Sequence, residues 1–143
     1  MRFARIYAET RREQEMSGED VLIVDDNAIN LKLARILLQG EGYAVHTATD
    51  AERALLVLAA VKPRLILMDL QLPGMDGLAL TRRLKADEAT REIVIIALTA
   101  SAMKGDEERA RAAGCDGYVA KPIDIDSLPV LIAQHLARSL EAR

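Results

Sequence analysis

An α/β fold, a parallel sheet covered by helices on both faces, is predicted by three features of the sequence. Five short apolar runs alternate with longer stretches of helical periodicity, the pattern of repeated strand–helix units. Most of the runs are continuous Val, Ile and Leu, as strands buried on both faces require. Aromatic residues make up only 3% of the 143 residues, with no Trp and one Phe, so the core has to be aliphatic. The length is that of one domain able to bury a proper core.

The elements follow in order. "VLIVD" (21–25) is a β-branched run that ends in acid. In "NAINLKLARILLQG", Ile29, Leu33, Ile36 and Leu37 share one helical face, which predicts the buried side, and Gly40 is a natural stop. "YAVHTA" (43–48) alternates apolar and polar, as a half-exposed strand should. In "DAERALLVLAAV", Asp50 can cap the helix and Pro63 lies beyond its end. "LILMD" (65–69) delivers a lone carboxylate to a turn. "DGLALTRRLKA" turns Leu78, Leu80 and Leu84 inward and Arg82, Arg83 and Lys85 outward. "EIVIIALT" (92–99) is the most hydrophobic run and reads as central. "AMKGDEERARAAG" is a charged, exposed helix with Gly105 near its start. "GYVAK" (117–121) is the fifth strand, and "DIDSLPVLIAQHLARSL" closes the domain from Asp124 or Asp126. Right-handed crossovers restrict the topology. Five such units give the flavodoxin-like order 2-1-3-4-5 with five helices, whose site lies outside the carboxyl ends of the strands.

Charge and composition exclude several functions. A net charge of −3 offers no footprint for nucleic acid. No apolar run approaches the length of a membrane span, and the N-terminus lacks the core of a secretory signal. The single cysteine, Cys115, cannot form an internal disulfide and fits a reducing compartment, so a cytoplasmic protein is expected. Residues 1–19 lie outside the strand–helix pattern and leave 20–143 as the domain. Phe3, Ile6 and Tyr7 can form an apolar stripe on one helix. The extension reads as poorly ordered chain, as a short helix packed on the domain or a second copy, or as a product of start-site choice before Met16.

The polar residues at the strand ends carry the chemistry. Asp25 and Asp26 end strand 1, Asp69 strand 3, Thr99 strand 4 and Lys121 strand 5. Adjacent strands lie roughly 4.8 Å apart, so these side chains can converge on one edge. Three crowded carboxylates must take up protons or share a cation. Hard oxygen ligands without Cys or His favour Mg2+ over zinc. A metal, a carboxylate nucleophile (Asp69), a hydroxyl and an ammonium together fit phosphoryl transfer. Singly, each residue has a plainer reading: Asp25 and Asp26 as helix caps, Asp69 as a turn residue. Five such coincidences on one edge are improbable.

The stretches "VLIVDDN", "LILMDLQLPGMDG", "ALTA" and "YVAKPI" resemble the motifs of response-regulator receiver domains (CheY-like). The resemblance runs from about Asp20 to Arg138 and, through "TASAMKGDEERARAAGCDGYVAKPI", is nearest to single-domain regulators of the DivK type. It implies Asp69 as phosphoacceptor and Asp25 and Asp26 as Mg2+ ligands, one directly and the other directly or through water. It adds the main-chain carbonyl of Gln71 to the metal, and Thr99 and Lys121 to the phosphoryl group. It further implies a cis Lys121–Pro122 peptide, Tyr118 as an aromatic switch, and Gln71 and Ser101 as positions that tune phosphoryl lifetime. The implied partners are a histidine kinase or histidine phosphotransfer protein and a downstream effector, with no nucleic acid and no membrane, and a monomer or weak homodimer. The implied activity is self-phosphorylation and self-dephosphorylation only, with the signal leaving through the surface of helix 4, strand 5 and helix 5. Three other readings compete. A haloacid-dehalogenase-like phosphatase places its nucleophile after strand 1, whereas here the candidate follows strand 3. Flavin binding would set the acidic "DDNAIN" against a phosphate. A phosphorylation-independent binding module would leave the full set of site residues unused.

Overall fold

The computed structural model describes residues 18–100 and 104–141. The expectations for Phe3, Ile6, Tyr7 and Met16 and for Ser101 fall outside them. Five strands and five helices alternate: β1 (Asp20–Val24), α1 (Ala28–Gly40), β2 (Ala44–Ala48), α2 (Ala51–Ala60), β3 (Leu65–Asp69), α3 (Gly77–Ala86), β4 (Val94–Thr99), α4 (Lys104–Ala113), β5 (Gly117–Ala120) and α5 (Ser127–Glu141). All pairings are parallel and the order is β2-β1-β3-β4-β5, the predicted flavodoxin-like, CheY-like arrangement.

Strand parity divides the core. Val21, Ile23, Leu65, Leu67, Ile96 and Leu98 pack with Ala34 and Leu38 of α1 and Leu128, Ile132 and Leu136 of α5. Leu22, Val24, Ile66, Met68, Ile95 and Ala97 face the other way, onto Ala51 and Ala54 of α2, Leu80 and Leu84 of α3 and Ala110 of α4. β3 and β4 are buried along their whole length, which explains their uninterrupted aliphatic sequences. β2 is an edge strand and shows the expected half-exposed pattern.

Short polar side chains start the helices by accepting their first free N–H groups. Asn27 accepts from Ile29 and Asn30, Asp50 from Arg53 and Asp76 from Ala79. At α5, Asp124 accepts from the N–H groups of Asp126 and Ser127, so of the two candidate starting residues it is Asp124 that caps.

Several expectations need correction. Helix α1 buries Ala34 and Leu38, while Ile29 and Ile36 are 79% and 55% exposed. Its apolar residues surround most of the helix, so two stripes compete, and the small Ala34 lets the backbone approach the sheet on the other one. The ladder of β1 stops at Val24 and that of β5 at Ala120, so Asp25 and Lys121 stand just beyond their strands. His46, for which the sequence names no partner, places Nε2 2.9 Å from Asp20 Oδ1.

Lys85 does not point outward. Its ammonium donates to Ile93 O at 2.7 Å, Arg91 O at 3.2 Å and Asp116 Oδ2 at 2.9 Å, and Asp116 also accepts from Ile95 N. The last turn of α3 aims the long side chain at these acceptors, joining α3 to the starts of β4 and β5. Lys85→Met keeps the stem but strands a partly buried carbonyl and a carboxylate. It is expected to lower stability by about 1–2 kcal/mol, read as a lower urea midpoint at unchanged m-value.

Candidate functional site

Register and parity assemble the site. Val24 pairs with Met68, so Asp25, the next residue, stands level with Asp69 on the neighbouring strand. Asp25 follows the parity of Val21 and Ile23, and Asp69 that of Leu65 and Leu67, so both side chains face the α1/α5 side. Lys121 follows the parity of Val119, which packs on that same side. Thr99 pairs with Ala120 and has the opposite parity. Tyr118 pairs with Ala97 and shares the side of Thr99, half-buried against the α2/α3/α4 core.

The geometry is tight. Asp25 and Asp69 are buried and Asp26 is exposed, and carboxylate oxygens of all three lie within 4.8 Å of one another. Lys121 Nζ donates to Asp69 Oδ2 at 3.0 Å and lies 3.4 Å from Asp25 Oδ2. The other Asp69 oxygen accepts from Gln71 N at 2.9 Å, and Asp25 Oδ1 accepts from Asn27 N at 2.8 Å. Asp25 Oδ2 is buried without a hydrogen bond. Thr99 is buried at the tip of β4, and its carbonyl accepts from Lys121 N at 2.7 Å, fixing the exit of β5. The Lys121–Pro122 peptide is cis.

Electrostatics follow from crowding. Burial raises the pKa of Asp69 above its ordinary value, and the charge of Asp25 pushes the same way. Hydrogen bonds from Gln71 N–H and Lys121 oppose the rise without cancelling it. For Lys121, burial works to lower the pKa, but the hydrogen bond to Asp69 and the charges of Asp25 and Asp69 outweigh it and raise the value. One ammonium faces three acids, so the pocket lacks positive charge. A buried carboxylate oxygen with no hydrogen bond is costly, and an all-oxygen donor set suits a hard divalent ion. These residues therefore fit Mg2+.

Thus Asp25, Asp26, Asp69 and Lys121 converge as the sequence predicts, with Thr99 at the neighbouring strand tip and Gln71 in the loop beyond Asp69. Sequence reasoning missed Gly77 and Asn27. A Cβ on Gly77 would stand 2.2 Å from Asp69 O and 2.8 Å from Leu70 Cα, so α3 can begin against the loop that follows Asp69 only because residue 77 lacks a side chain. Gly77 N also donates to Leu70 O at 3.2 Å. The signal was the glycine after the cap in "PGMDG". Asn27 serves twice, donating its N–H to Asp25 and capping α1 with its side chain.

The chain is similar to known proteins in sequence and fold. The sequence profile of the response regulator receiver domain matches residues 21–133. The polar-differentiation response regulator DivK of Brucella anthropi is 44% identical over 118 residues, covering 82% of this chain and 96% of the relative. Among solved structures, a CheY-like response regulator receiver domain protein from Methanospirillum hungatei superposes with a TM-score of 0.81 at 27% identity, covering 87% of this chain and 98% of that one. The receiver domain of sensor histidine kinase PA1611 from Pseudomonas aeruginosa, with a magnesium ion coordinated in its active-site cleft, gives a TM-score of 0.77 at 35% identity, covering 84% and 98%. Because the profile spans most of the chain and the relatives match over nearly their whole lengths, the chain belongs to the response regulator receiver domain family of two-component systems.

Proposed function

We propose that this chain is a single-domain phosphoacceptor switch of the DivK type, which takes a phosphoryl group from the phosphohistidine of a histidine kinase or phosphotransfer protein. The observation that carries this reading is the buried, hydrogen-bond-free Asp25 Oδ2 beside two further carboxylates, a set that calls for a divalent cation. Asp25, Asp26 and Asp69 would hold Mg2+ with the main-chain carbonyl of Gln71. When bound, the ion neutralises charge that develops on the phosphoryl oxygens. An Asp69 carboxylate oxygen attacks phosphorus, the donor's P–N bond breaks with its electron pair returning to the imidazole, and an acyl phosphate remains. Lys121, released from Asp69 Oδ2, pairs with the incoming oxygens. Thr99 donates its hydroxyl to one of them. Water later cleaves the acyl phosphate, so the only chemistry is the chain's own phosphorylation and dephosphorylation.

Tyr118 lies on the Thr99 side of the sheet, one strand step from it. Drawing Thr99 toward the phosphoryl group opens space into which Tyr118 can turn, altering the surface of α4, β5 and α5 where an effector binds. Moving such an equilibrium from 1:99 to 99:1 takes about 5.5 kcal/mol, within reach of a few charge-assisted hydrogen bonds. No helix among the described residues is long and apolar enough to cross a membrane; a cytoplasmic site of action is part of the proposed reading, as the place of such kinases' phosphohistidine. A monomer or weak homodimer is the working form.

The test is direct. With Mg2+ and a small acyl-phosphate donor, intact mass should rise by one phosphoryl group, and EDTA should prevent it; no gain, or an equal gain in EDTA, rejects the reading. In the same sample, resonances of Tyr118 and α4 should move on phosphorylation. Spectra unchanged there would reject the switch while leaving the chemistry intact.

A further inference from the structure

At the amino edge of the sheet, opposite the acidic cluster, α3, β4, the entry to β5 and the end of α5 border a cavity of about 440 Å3. That lies within the range of small-molecule sites, about 300–1,000 Å3. Two of its walls are fixed by the fold. Lys85 enters from α3 and Asp116 from the residue before β5, and their ion pair at 2.9 Å is anchored to Ile93 O and Ile95 N. His135 stands on α5 with its ring against Gly117, where a Cβ would lie 2.7 Å from Nε2. The missing side chain at residue 117 gives the imidazole its place.

Three polar groups on this cavity lack a protein partner. Arg91 and Arg138 are exposed and make no ion pair among the described residues, and the half-buried His135 ring makes no hydrogen bond among them. The neighbouring Arg64 differs, because Glu19 takes its guanidinium at 2.7 Å. Lys85, Arg91 and Arg138 face two acids, Glu92 and Asp116, so the lining carries an excess of positive charge in a chain whose net charge is −3. Burial and the charge of Arg138 hold the His135 pKa below its ordinary value, against the pull of Asp116. The ring is therefore neutral at neutral pH, with one N–H to donate. Two guanidinium groups and an imidazole are a donor set for phosphate, whose oxygens the guanidinium fork matches. Glu92 and the Asp116 oxygen not bound to Lys85 repel a polyanion but accept from hydroxyl groups.

We propose that this cavity is a ligand site for a small hydroxylated organic monophosphate, with the phosphate on Arg91, His135 and Arg138 and the hydroxyls on Glu92 and Asp116. One phosphate satisfies the donors and the hydroxyls satisfy the acids. The ligand joins the connection into β4 to the last turns of α5. The site lies at the opposite edge from Asp69 and does not depend on the phosphoacceptor reading.

The experiment titrates the full chain in EDTA with ribose 5-phosphate, with ribose and with inorganic phosphate, followed by amide and imidazole resonances. Ribose 5-phosphate should shift Arg91, Val94, Asp116 and His135 and raise the His135 pKa. Inorganic phosphate should do so more weakly, and ribose not at all. Binding should tighten as pH falls through the His135 titration, because the imidazolium adds a charge facing the phosphate while Lys85, Arg91, Glu92, Asp116 and Arg138 keep theirs. Arg91→Gln with Arg138→Gln, two exposed sites, should weaken binding by about tenfold or more with the urea midpoint unchanged. No shift at millimolar ribose 5-phosphate overturns the proposal. So do shifts centred on Lys121, unchanged affinity in the double variant, or inorganic phosphate bound as tightly as the sugar phosphate.

Discussion

Asp69→Asn should abolish phosphoryl labelling completely and, in EDTA, raise the stability of the protein at neutral pH. The first effect follows from losing the carboxylate proposed as nucleophile, which lies beside Lys121. The second follows from the sign of the pKa shift. Burial and Asp25 raise the folded-state pKa of Asp69 above its unfolded value, so the folded chain holds this proton more tightly than the unfolded chain. Linkage then lowers stability as pH rises from the unfolded pKa through the folded one, and the penalty is full above both. Asparagine carries no such charge. The difference between variant and wild type should vanish at acid pH and grow across that interval, read as thermal midpoints in EDTA. Mg2+ should stabilise the wild type by about 1.4 kcal/mol at tenfold excess over its Kd and the variant by much less. A variant that labels like the wild type would move the nucleophile elsewhere. A variant less stable than the wild type at neutral pH would mean that the Lys121 bond, not crowding, governs Asp69.

Gly77→Ala should be strongly damaging for a change of one methyl group. The added carbon would meet backbone, Asp69 O at 2.2 Å and Leu70 Cα at 2.8 Å, and neither can rotate away. Overpacking of this kind costs about 1–3 kcal/mol and sometimes more. Relief requires α3 to retreat from the loop that holds Asp69, which breaks the Gly77–Leu70 hydrogen bond. A displacement near 1 Å can cost on the order of a hundredfold in rate, so labelling per folded molecule should slow by about 10- to 100-fold. Gly105→Ala is the control: its Cβ meets nothing within 4 Å, and alanine in a helix should add about 0.5–1 kcal/mol. If the two variants unfold at the same urea concentration, the close approach at residue 77 does not constrain the loop.

Much of this was legible before any coordinates. β3 and β4 are fully buried, so their sequences had to be aliphatic throughout and could be read as strands. Asp25, Asp26, Asp69, Thr99 and Lys121 were legible because each ends an apolar run, and strand ends on one edge meet by topology. What could not be read was rotation and reach. α1 offers apolar residues on most of its circumference, so periodicity chose Ile29 and Ile36 where the sheet chose Ala34 and Leu38. Lys85 has the spacing of a solvent-facing residue, but its stem is long enough for acceptors on two other elements. Gly77 was passed over although "PGMDG" marks it, because its role is a missing atom whose need shows only once α3 lies against the loop.

The shared parity of Asp25, Asp69 and Lys121 limits how such a chain can change length. A residue gained or lost within β1, β3 or β5 would swing the terminal side chain to the opposite layer, and the cluster would lose a member even though every site residue was still present. Insertions between α1 and β2 or between α3 and β4 meet no such bar, because those connections lie at the far edge of the sheet. Variation in size should therefore gather at the amino edge, while the three strands keep an odd-or-even count as strict as any side-chain identity.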